Sequence, residues 1–277
     1  MRAMGVADGW VELGDRFFVR RYAFYDQNIG LVLGRGEALV IDTRSTYGQA
    51  RQILEDVRAL TRDPIAVVVD THGHFDHAFG NALFRPATIW GHERCVSFME
   101  RTGEARKPAI AKDEPDLADE LAEIVIDPPD RTFTDTAAFE LGGREVELRF
   151  LGRAHTDHDI VVQVPGADVV WAGDLIENGA VPFYGDGYPL DWPATCSALA
   201  ELVTGVVVPG HGDHADHDFA VSQAASIAAL AELARSVHAG GLSLEDAVAA
   251  HPFADRPPEE ARRAFERALQ QLAGALD

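Results

Sequence analysis

Cysteine is nearly absent from this chain of 277 residues, which contains only Cys95 and Cys196. Two cysteines cannot build a disulfide framework, and free thiols are typical of proteins in a reducing compartment. Neither residue lies in a motif with the spacing of metal ligands, which argues against a site built from thiolates. A metal site in this protein would therefore use imidazole and carboxylate groups.

Positive charge is also scarce, because 24 lysine and arginine residues face 45 aspartate and glutamate residues. The formal net charge is −21, and the pI is near 4.8. A field of this sign repels phosphate groups, so we expect neither a nucleic-acid partner nor binding to an anionic membrane. We expect a small-molecule substrate instead, although the acidity itself does not identify it.

Long hydrophobic runs are missing as well. No apolar segment reaches the length that spans a membrane, and residues 1–14 lack the apolar core of a signal peptide. The expected location is therefore the cytoplasm. A hydrophobic content of 47% is nevertheless that of an ordinary globular protein. A chain of 277 residues can bury the core of one large domain, or of two at most.

Histidine is concentrated directly after one apolar run. Ile65–Val69 is short, rich in valine and preceded by proline, which favours a buried β-strand over a helix. Residues 71–77 then read THGHFDH, an H-x-H-x-D-H pattern. Imidazole and carboxylate are the ligands that Zn²⁺ prefers where thiolates are absent. So short a loop cannot close all of these groups around one ion without strain, so the spacing favours two ions.

Three later apolar runs also end in residues of the type that binds metal. Each is followed by a glycine, which permits close approach of the backbone. The run at 146–151 leads to His155, the run at 169–172 leads to Asp174, and the run at 206–208 leads to His211. One such coincidence would be weak, but four ligand-bearing strand ends in this order indicate one shared site.

The motifs THGHFDH, GRAHT, AGD and PGHG together resemble those of the metallo-β-lactamase superfamily of hydrolases, over most of the chain from about residue 17 to residue 211. The resemblance implies an α/β fold, an αββα sandwich with the metals at the shared edge of its two sheets. We expect one domain over residues 1–277, with a helical insertion at about 92–123 and C-terminal helices at about 219–276.

By position, the resemblance implies two metal sites that share a carboxylate. The first would use His72, His74 and His155, the second would use Asp76, His77 and His211, and Asp174 would bridge both. An aspartate at position 174 looks like the glyoxalase II and lactonase branches, whereas true β-lactamases are expected to carry cysteine or serine there. Two Zn²⁺ ions are the expected cofactors, and iron or manganese can also occupy such sites.

The expected reaction is hydrolysis of a small carbonyl compound, namely a lactone, an ester or a thioester. Two zinc ions about 3.5–4 Å apart would share a hydroxide that attacks the carbonyl carbon, and Asp76 would orient this nucleophile and relay its proton. The alternatives are a β-lactamase-like amide hydrolase and a phosphodiesterase on the same fold. Two other classes fit less well. A flavodiiron enzyme would be expected to carry glutamate at position 74, and an inactive zinc scaffold would be expected to lose ligands.

The stretch between Asp174 and His211 is rich in glycine and aromatic residues, and we expect it to face the substrate. The candidates for substrate contact are Asn178, Tyr184, Tyr188 and Trp192, together with His158. The alternative is that these aromatic residues form a small core beneath a long loop. Asp42 ends a strand and is interpreted as a turn residue. The second interpretation is that its side chain supports the metal loop.

Periodicity predicts the remaining elements. Strands at 17–19, 29–33 and 38–41 precede a helix that is capped by Ser45 or Thr46 and runs to about Leu60. A short helix at 78–84 follows the metal loop. The segment at 92–123, broken by Pro108 and Pro115, is either a substrate lid or a structural insertion. Alanine-rich helices at 219–238, 244–250 and 258–276 would cover the sandwich or mediate a homodimer.

Overall fold

Strands dominate the N-terminal part of the chain, and helices dominate its C-terminal part. The computed structural model describes residues 6–7, 9–179, 181–253 and 257–276. Its strands are β1 Val6–Ala7, β2 Trp10–Gly14, β3 Phe17–Tyr22, β4 Gln27–Leu33, β5 Ala38–Ile41, β6 Ile65–Val69, β7 Thr88–His92, β8 Arg131–Phe133, β9 Thr136–Leu141, β10 Arg144–Phe150, β11 Ile160–Gln163, β12 Val169–Asn178 and β13 Val206–Gly212.

The helices are divided equally between the first and the second half of the described chain. They are α1 Tyr47–Leu60, α2 Phe75–Ala78, α3 Glu93–Asp113, α4 Ala118–Glu123, α5 Trp192–Leu202, α6 His217–His238, α7 Leu244–Ala249 and α8 Pro258–Leu272, with 3₁₀ turns at Phe24–Asp26, Asn81–Phe84 and Pro115–Leu117. The predicted cap of α1 is confirmed, because the Thr46 hydroxyl accepts a hydrogen bond from the Gln49 N–H at 3.3 Å.

The two halves of the chain pack their strands face to face. Leu39 and Ile41 of β5 share one cluster of buried side chains with Val162 of β11 and Trp171 of β12. The intervening residues of the same strands belong to other clusters on the outer faces. This alternation follows from the extended backbone, whose side chains point to opposite faces in turn. The inner layer therefore holds the two halves together as one core.

Helices cover both outer faces. Ile53 of α1 packs with Val40 of β5 on the face of the first half. Trp192 of α5, Ile227 of α6 and Phe265 of α8 pack with the outer side chains of β12 on the other face. The order of layers is thus helix, sheet, sheet and helix, and the predicted αββα sandwich is confirmed. The buried sides of the C-terminal helices cover the second half.

Strand pairing is continuous from one half to the other. The order is β8-β7-β6-β5-β4-β13-β12-β11-β10-β9, with β3, β2 and β1 branching from β4. The halves join where His211 of β13 pairs with Gln27 of β4. Strands β5 to β8 are parallel, as are β12 and β13. Because ligand sites form beyond the carboxyl ends of parallel strands, this topology gathers the four histidine and aspartate motifs at one edge.

Several elements differ from the sequence prediction, and three of these differences have a local cause. The short helix predicted at 78–84 consists instead of α2 at Phe75–Ala78 and the 3₁₀ turn at Asn81–Phe84, and the Phe79 N–H closes the turn of α2 on Phe75 O at 3.2 Å. Pro108 does not break the insertion, since the residue is exposed and only one carbonyl loses its helical partner. Helix α8 ends at Leu272 rather than at residue 276, because Gly274 adopts a left-handed φ of 68°.

The N-terminal residues 1–5 and residue 8, on which part of the signal-peptide interpretation rests, lie outside the described residues. Within the part of the chain that the structure describes, no helix combines the length and hydropathy needed to cross a bilayer.

Candidate metal centre

The histidine motif lies where a buried strand turns into a short helix. Strand β6 ends at Val69 and α2 begins at Phe75. His72 and His74 therefore precede the helix, whereas Asp76 and His77 lie in its first turn. The N–H of Ile160 in β11 donates to Thr71 O at 2.9 Å, so the second half of the sandwich also holds the loop in place.

One group of ligand atoms, the first pocket, consists of His72, His74, His155 and Asp174, all buried. His74 Nδ1 lies 3.1 Å from His72 Nε2 and 2.9 Å from His155 Nε2. Asp174 Oδ2 lies 3.6 Å and 3.4 Å from the same two Nε2 atoms. Ligand atoms around a tetrahedral zinc ion are about 3.3–3.4 Å apart for Zn–N bonds of about 2.0–2.1 Å. The donor atoms are therefore spaced to hold one such ion.

The other group, the second pocket, consists of Asp76, His77 and His211. The Nε2 atoms of His77 and His211 lie 3.2 Å apart. Asp76 Oδ2 lies 3.4 Å from the first and 3.3 Å from the second. The side chains of His211 and Asp76 retain 13% and 10% exposure, so a solvent-borne ligand can reach this pocket.

Asp174 lies between the two pockets. Its Oδ2 atom belongs to the first pocket but also lies 3.5 Å from His211 Nε2, and its Oδ1 atom lies 3.4 Å from His77 Nε2, so both oxygens approach histidines of the second pocket. Oδ1 is buried and has no hydrogen-bond partner among the residues that the structure describes. A buried carboxylate oxygen of this kind is costly unless a donor or a cation completes its surroundings. The residues present therefore fit a metal ion on each side of Asp174.

Gly210 permits this approach of Asp174. A Cβ atom at position 210 would lie 1.8 Å from Asp174 Oδ1 and 3.0 Å from His77 Cε1. The first distance is far inside van der Waals contact, so any side chain would displace the carboxylate. The PGHG motif thus supplies one candidate ligand, His211, and the space for another, Asp174.

The charge states of the groups also suit metal binding. Burial lowers the pKa of His155 to about 3 and holds that of His72 well below its usual value, which keeps these imidazoles in the neutral form that binds metal. Burial opposes ionisation of Asp76 and Asp174, but the nearby histidines outweigh it, and the pKa of both carboxyls lies well below the usual value.

The two histidines of the second pocket carry the positive charge that matches these carboxylates. Burial opposes protonation of His77 and of His211, but the carboxylates of Asp174 and Asp76 outweigh it and raise the pKa of both imidazoles well above its usual value. Protons therefore neutralise the carboxylates in the metal-free protein. A metal ion would displace those protons and take over their charge.

Each histidine of the two pockets uses its other ring nitrogen for a hydrogen bond that sets the ring orientation and the tautomer. The pairs are His72 Nδ1 with Thr71 Oγ1 at 3.2 Å, His74 Nε2 with Asp186 Oδ2 at 2.9 Å, His77 Nδ1 with Asp42 Oδ2 at 2.8 Å, His155 Nδ1 with Phe183 O at 3.1 Å, and His211 Nδ1 with Tyr25 O at 2.7 Å.

Asp42 supports the metal loop rather than a simple turn, which corrects its interpretation from the sequence. It is 2% exposed and adopts a left-handed φ of 67°. Its carboxylate accepts hydrogen bonds from Thr71 N and from Thr71 Oγ1, both at 2.8 Å, in addition to that from His77. One carboxylate thus fixes both the loop and a ligand ring.

Asp186 is a residue of the site that sequence reasoning missed, and its only local signal is an acidic side chain between two glycines. Besides His74, it accepts from Arg106 Nη2 of α3, at 2.8 Å to Oδ1 and 2.7 Å to Oδ2. Burial opposes its ionisation, but the bonds from His74 and Arg106 outweigh it, so the pKa of Asp186 lies below its usual value.

The predicted substrate contacts lie mostly beneath the site. Trp192 is fully buried and its indole N–H donates to Leu175 O at 3.1 Å, and the ring of the buried Tyr184 packs on it at 5.2 Å. These two rings belong to the core under the loop and leave no surface for a substrate. Tyr188 is 7% exposed, and its N–H donates to Ala154 O at 2.7 Å.

The two polar candidates hold parts of the protein together. His158 is buried, and its Nε2 accepts a hydrogen bond from the Gly73 N–H at 3.1 Å, so it supports the metal loop. Asn178 is half-buried, and its Nδ2 donates to His214 O at 3.1 Å. That bond ties the end of β12 to the segment that follows β13.

Two other aromatic residues face the solvent beside the pockets. Tyr25 is 41% exposed, with its ring centroid 6.5 Å from that of His211. Phe183 is 53% exposed, with its ring 6.1 Å from that of His155. Each pocket is therefore flanked by one exposed aromatic ring. Sequence analysis missed Tyr25 because it follows a strand that carries no ligand.

The helical insertion contacts both sides of the site. Arg106 in α3 reaches Asp186, whereas Glu114, just after α3, accepts a hydrogen bond from the Tyr25 hydroxyl at 2.7 Å. The ring of Phe98, also in α3, lies 5.6 Å from that of His74. The insertion thus forms a wall of the site, and an opening lid would have to break these contacts.

Comparison with known proteins agrees with this arrangement. The family model of the metallo-β-lactamase superfamily matches residues 23–211, a range that includes every residue of both pockets. The chain is 23% identical over 192 residues to the metallo-β-lactamase type 2 of Bacteroides fragilis, which covers 66% of this chain and 68% of that protein. It is 24% identical over 208 residues to a linear primary-alkylsulfatase of a Pseudomonas species, over 63% of this chain and 39% of that protein.

Solved structures show the same fold at low identity. A metallo-β-lactamase from Pontibacter korlensis matches with a TM-score of 0.64 and 19% identity, over 78% of this chain and 98% of that one. A sec-alkylsulfatase from a Pseudomonas species matches with a TM-score of 0.74 and 17% identity, over 96% of this chain and 50% of that one. The predictions of superfamily, fold and enzyme class are confirmed, and the chain belongs to the metallo-β-lactamase superfamily of metal-dependent hydrolases.

Proposed function

We propose that this protein is a dinuclear zinc hydrolase that cleaves a small carbonyl compound, namely a lactone, an ester or a thioester. The observation that carries the proposal is the position of Asp174, whose carboxylate oxygens lie 3.4–3.6 Å from histidine nitrogens of both pockets. The orphaned Oδ1 atom and the close approach at Gly210 both support a carboxylate that is shared by two ions. Each pocket also has histidine ligands of its own.

Zinc is the metal that the donor set favours, because the pockets combine imidazole nitrogens with carboxylate oxygens and contain no thiolate. Iron or manganese can occupy histidine and carboxylate sites of this kind, so the identity of the metal is part of the proposal. Elemental analysis of the protein as purified, and after metal removal and reconstitution, would identify the native ion.

Two zinc ions in these pockets would polarise the carbonyl group and supply hydroxide near neutral pH. We assign Asp76 two roles: its Oδ2 atom completes the second pocket, and the carboxylate carries a proton from the nucleophile to the leaving group. Asp174 keeps its negative charge between the pockets and offsets part of the charge of the ions. A neutral or weakly anionic substrate suits such a site.

The exposed rings of Tyr25 and Phe183 support a substrate with an apolar body. They flank the second and the first pocket respectively, and both leave a large part of their surface open. Aromatic rings gain free energy when apolar groups of a ligand cover them. We therefore infer that the groups attached to the carbonyl pack between these two rings.

The β-lactamase relatives make amide hydrolysis the first alternative. Against it stands the aspartate at position 174, where the resemblance to true β-lactamases would imply cysteine or serine. The sequence identity of 23% does not carry substrate specificity from one protein to the other. A β-lactam compound therefore belongs in any substrate test as a comparison.

Sulfate-ester hydrolysis is the second candidate function. The match to the sec-alkylsulfatase extends over 96% of this chain, compared with 78% for the β-lactamase from Pontibacter korlensis. The additional coverage favours a shared organisation beyond the metal-binding core. The present chain matches only 50% of that structure, so the activity of the whole alkylsulfatase does not transfer directly.

We also propose that residues 1–277 form one domain that acts in the cytoplasm without a nucleic-acid partner. The shared inner cluster of both halves supports the single domain, and the formal charge of −21 supports the absence of a polyanionic partner. A homodimer that uses the outer faces of the C-terminal helices is a further prediction. Light scattering of the purified protein would test it.

A panel of substrates tests the proposed function. An acyl lactone, an acyl thioester, an aryl ester, a β-lactam, a phosphodiester and a primary and a secondary alkyl sulfate would each be assayed with the zinc-loaded protein, after chelation, and after zinc is restored. We expect turnover of a lactone, ester or thioester that disappears with the chelator and returns with zinc. His155→Ala, which removes a ligand of the first pocket, provides the control for contaminating hydrolases.

Each of the other outcomes of this panel would establish a different function. Turnover of alkyl sulfates alone by the zinc-loaded protein would replace the proposal with its second candidate. Turnover of the phosphodiester alone would establish the phosphodiesterase alternative, and cleavage of the β-lactam alone would establish amide hydrolysis. Protein that binds fewer than two metal ions would overturn the dinuclear site itself.

A further inference from the structure

We propose that Asp186 is a positioning residue for His74 and thereby sets the metal affinity of the first pocket, and that Arg106 of α3 holds Asp186 in place. The inference rests on the proposed function, because it requires a metal ion in that pocket. It adds a link between the helical insertion and the metal centre that the ligand motifs do not contain.

The contact between His74 and Asp186 is the first step. His74 Nδ1 faces the other donor atoms of the first pocket, so its Nε2–H is left to bond outside it. That group donates to Asp186 Oδ2 at 2.9 Å. The hydrogen bond fixes the ring plane and the tautomer, and a carboxylate acceptor also raises the basicity of the ligating nitrogen.

The anchoring of Asp186 is the second step. Arg106 Nη2 donates to both carboxylate oxygens, at 2.8 and 2.7 Å. From the other side, Arg267 Nη2 of α8 donates to the backbone carbonyl of Asp186 at 2.9 Å. One residue of an otherwise irregular loop is thus held by two helices, and its carboxylate is directed at a metal ligand.

An ordinary surface ion pair would not have this geometry. The side chains of Arg106 and Asp186 are 38% and 27% exposed, and pairs with such exposure typically contribute little to stability. His74, however, is 8% exposed, and the same carboxylate oxygen contacts both the arginine and the histidine. We therefore assign to the carboxylate an effect on metal binding rather than on folding.

Metal affinity measured on a graded set of variants tests the inference. Asp186→Asn removes the charge, Asp186→Ala removes the hydrogen bond as well, and Arg106→Gln removes only the anchor. Zinc affinities would be determined by competition with a chromophoric chelator, and cobalt spectra would report the coordination of each pocket. We expect the affinity of one ion to fall by about 10–100-fold in the Asp186 variants, most in Asp186→Ala, and less in Arg106→Gln.

Asp191→Asn is the matched control. Asp191 closes the same loop and pairs with Arg153, with side-chain exposures of 36% and 38%, but this ion pair makes no hydrogen bond to a ligand histidine. Its zinc affinities should equal those of the wild type. Thermal unfolding of the metal-free proteins should be the same for Asp186→Asn and Asp191→Asn, which separates positioning from a role in folding.

Two results would overturn the inference, and a third would overturn the proposed function. Unchanged affinities for both ions in Asp186→Ala would show that His74 needs no partner. Loss of both ions together with lower stability of the metal-free protein would show a general structural role. A wild-type protein that binds fewer than two ions would instead overturn the proposed function on which the inference rests.

Discussion

The two pockets have similar ligands, but different parts of the fold hold those ligands in place. In the second pocket, His77 is oriented by Asp42, a buried residue directly after β5. In the first pocket, His74 and His155 are oriented by Asp186 and by the carbonyl of Phe183. Both of these partners lie in the loop between β12 and α5. The orientation of His77 therefore depends on the sheet, whereas that of His74 and His155 depends on a loop.

Burial follows the same division. Asp42 is 2% exposed, whereas the side chain of Asp186 is 27% exposed. A hydrogen bond buried at a sheet edge opens only when the sheet opens, but a bond from a loop can open in local fluctuations of low free energy. Changes in this loop should therefore reach the first pocket through His74 and His155, whereas the orientation of His77 should respond to changes in the core.

The largest expected effect comes from the point that the two pockets share. Gly210→Ala would place a Cβ atom 1.8 Å from Asp174 Oδ1 and push the bridging carboxylate out of both pockets. We expect loss of both metal ions and a fall in hydrolysis of at least about 100-fold. Metal analysis after gel filtration would measure this.

Gly241→Ala is the control for the added methyl group, because its nearest neighbour, Ser236 O, would lie 3.6 Å away, an ordinary contact. It should keep both ions and full activity. If Gly210→Ala also retained two ions, Asp174 would not be a shared ligand, and the two pockets would be independent.

His211→Ala should separate the pockets. The variant loses one of the three residues of the second pocket but none of the first. We expect one metal ion per chain instead of two, with the cobalt spectrum of the first pocket preserved and hydrolysis lower by about 100-fold. A metal content that stays at two would contradict the assignment of this residue.

Asp42→Asn should have the next largest effect, and it should combine two losses. The amide cannot replace the carboxylate as the acceptor for Thr71 N, Thr71 Oγ1 and His77 together. We expect the metal affinity of the second pocket to fall by about 10–100-fold. We also expect the free energy of unfolding of the metal-free protein to fall by about 2–4 kcal/mol, since these bonds are buried and the acceptor is charged.

Chelator competition and denaturant unfolding would measure the two losses separately. Asp15→Asn, at a residue whose side chain is 77% exposed, is the control and should change neither quantity. The comparison between the pockets would fail if Asp42→Asn changed the first pocket and left the second as it was.

The residues of the two pockets could be predicted from the sequence, because each follows an apolar run in a fixed order. The same holds for the sandwich, whose alternating strands and amphipathic α1 carry their own local signal. The residues that orient the ligands could not be predicted. Asp186 lies 112 positions from His74 along the chain, and nothing near either residue indicates the contact. Such pairs exist only once the loop, α3 and the metal loop are packed together.

The roles of the aromatic residues also could not be predicted from the sequence. An aromatic, glycine-rich stretch after a ligand strand indicates a pocket wall and a core cluster equally well. The register of the loop decides between them, since Tyr184 faces the core while the adjacent Phe183 faces the solvent. Pro108 is a case in which a local rule fails, because an exposed position in a long helix tolerates the loss of one hydrogen bond.

The smallest expected effect tests how far the dependence of the first pocket on its loop extends. Arg267 of α8 donates to Gly187 O at 2.7 Å and to Asp186 O at 2.9 Å, so it ties the loop to the C-terminal helix without touching a ligand. Arg267→Gln should lower the zinc affinity of the first pocket by about 2–10-fold, the equivalent of about one hydrogen bond, and leave the second unchanged.

Arg262→Gln is the matched control for Arg267→Gln, because Arg262 lies on the same helix and pairs with Glu245 at the surface, away from the loop. It should alter neither affinity. An equal change in both pockets, or in neither, would mean that α8 does not support the first pocket and that its dependence on the loop ends at Asp186. A change confined to the first pocket would extend the support of the metal centre from the sheet edge to the C-terminal helix.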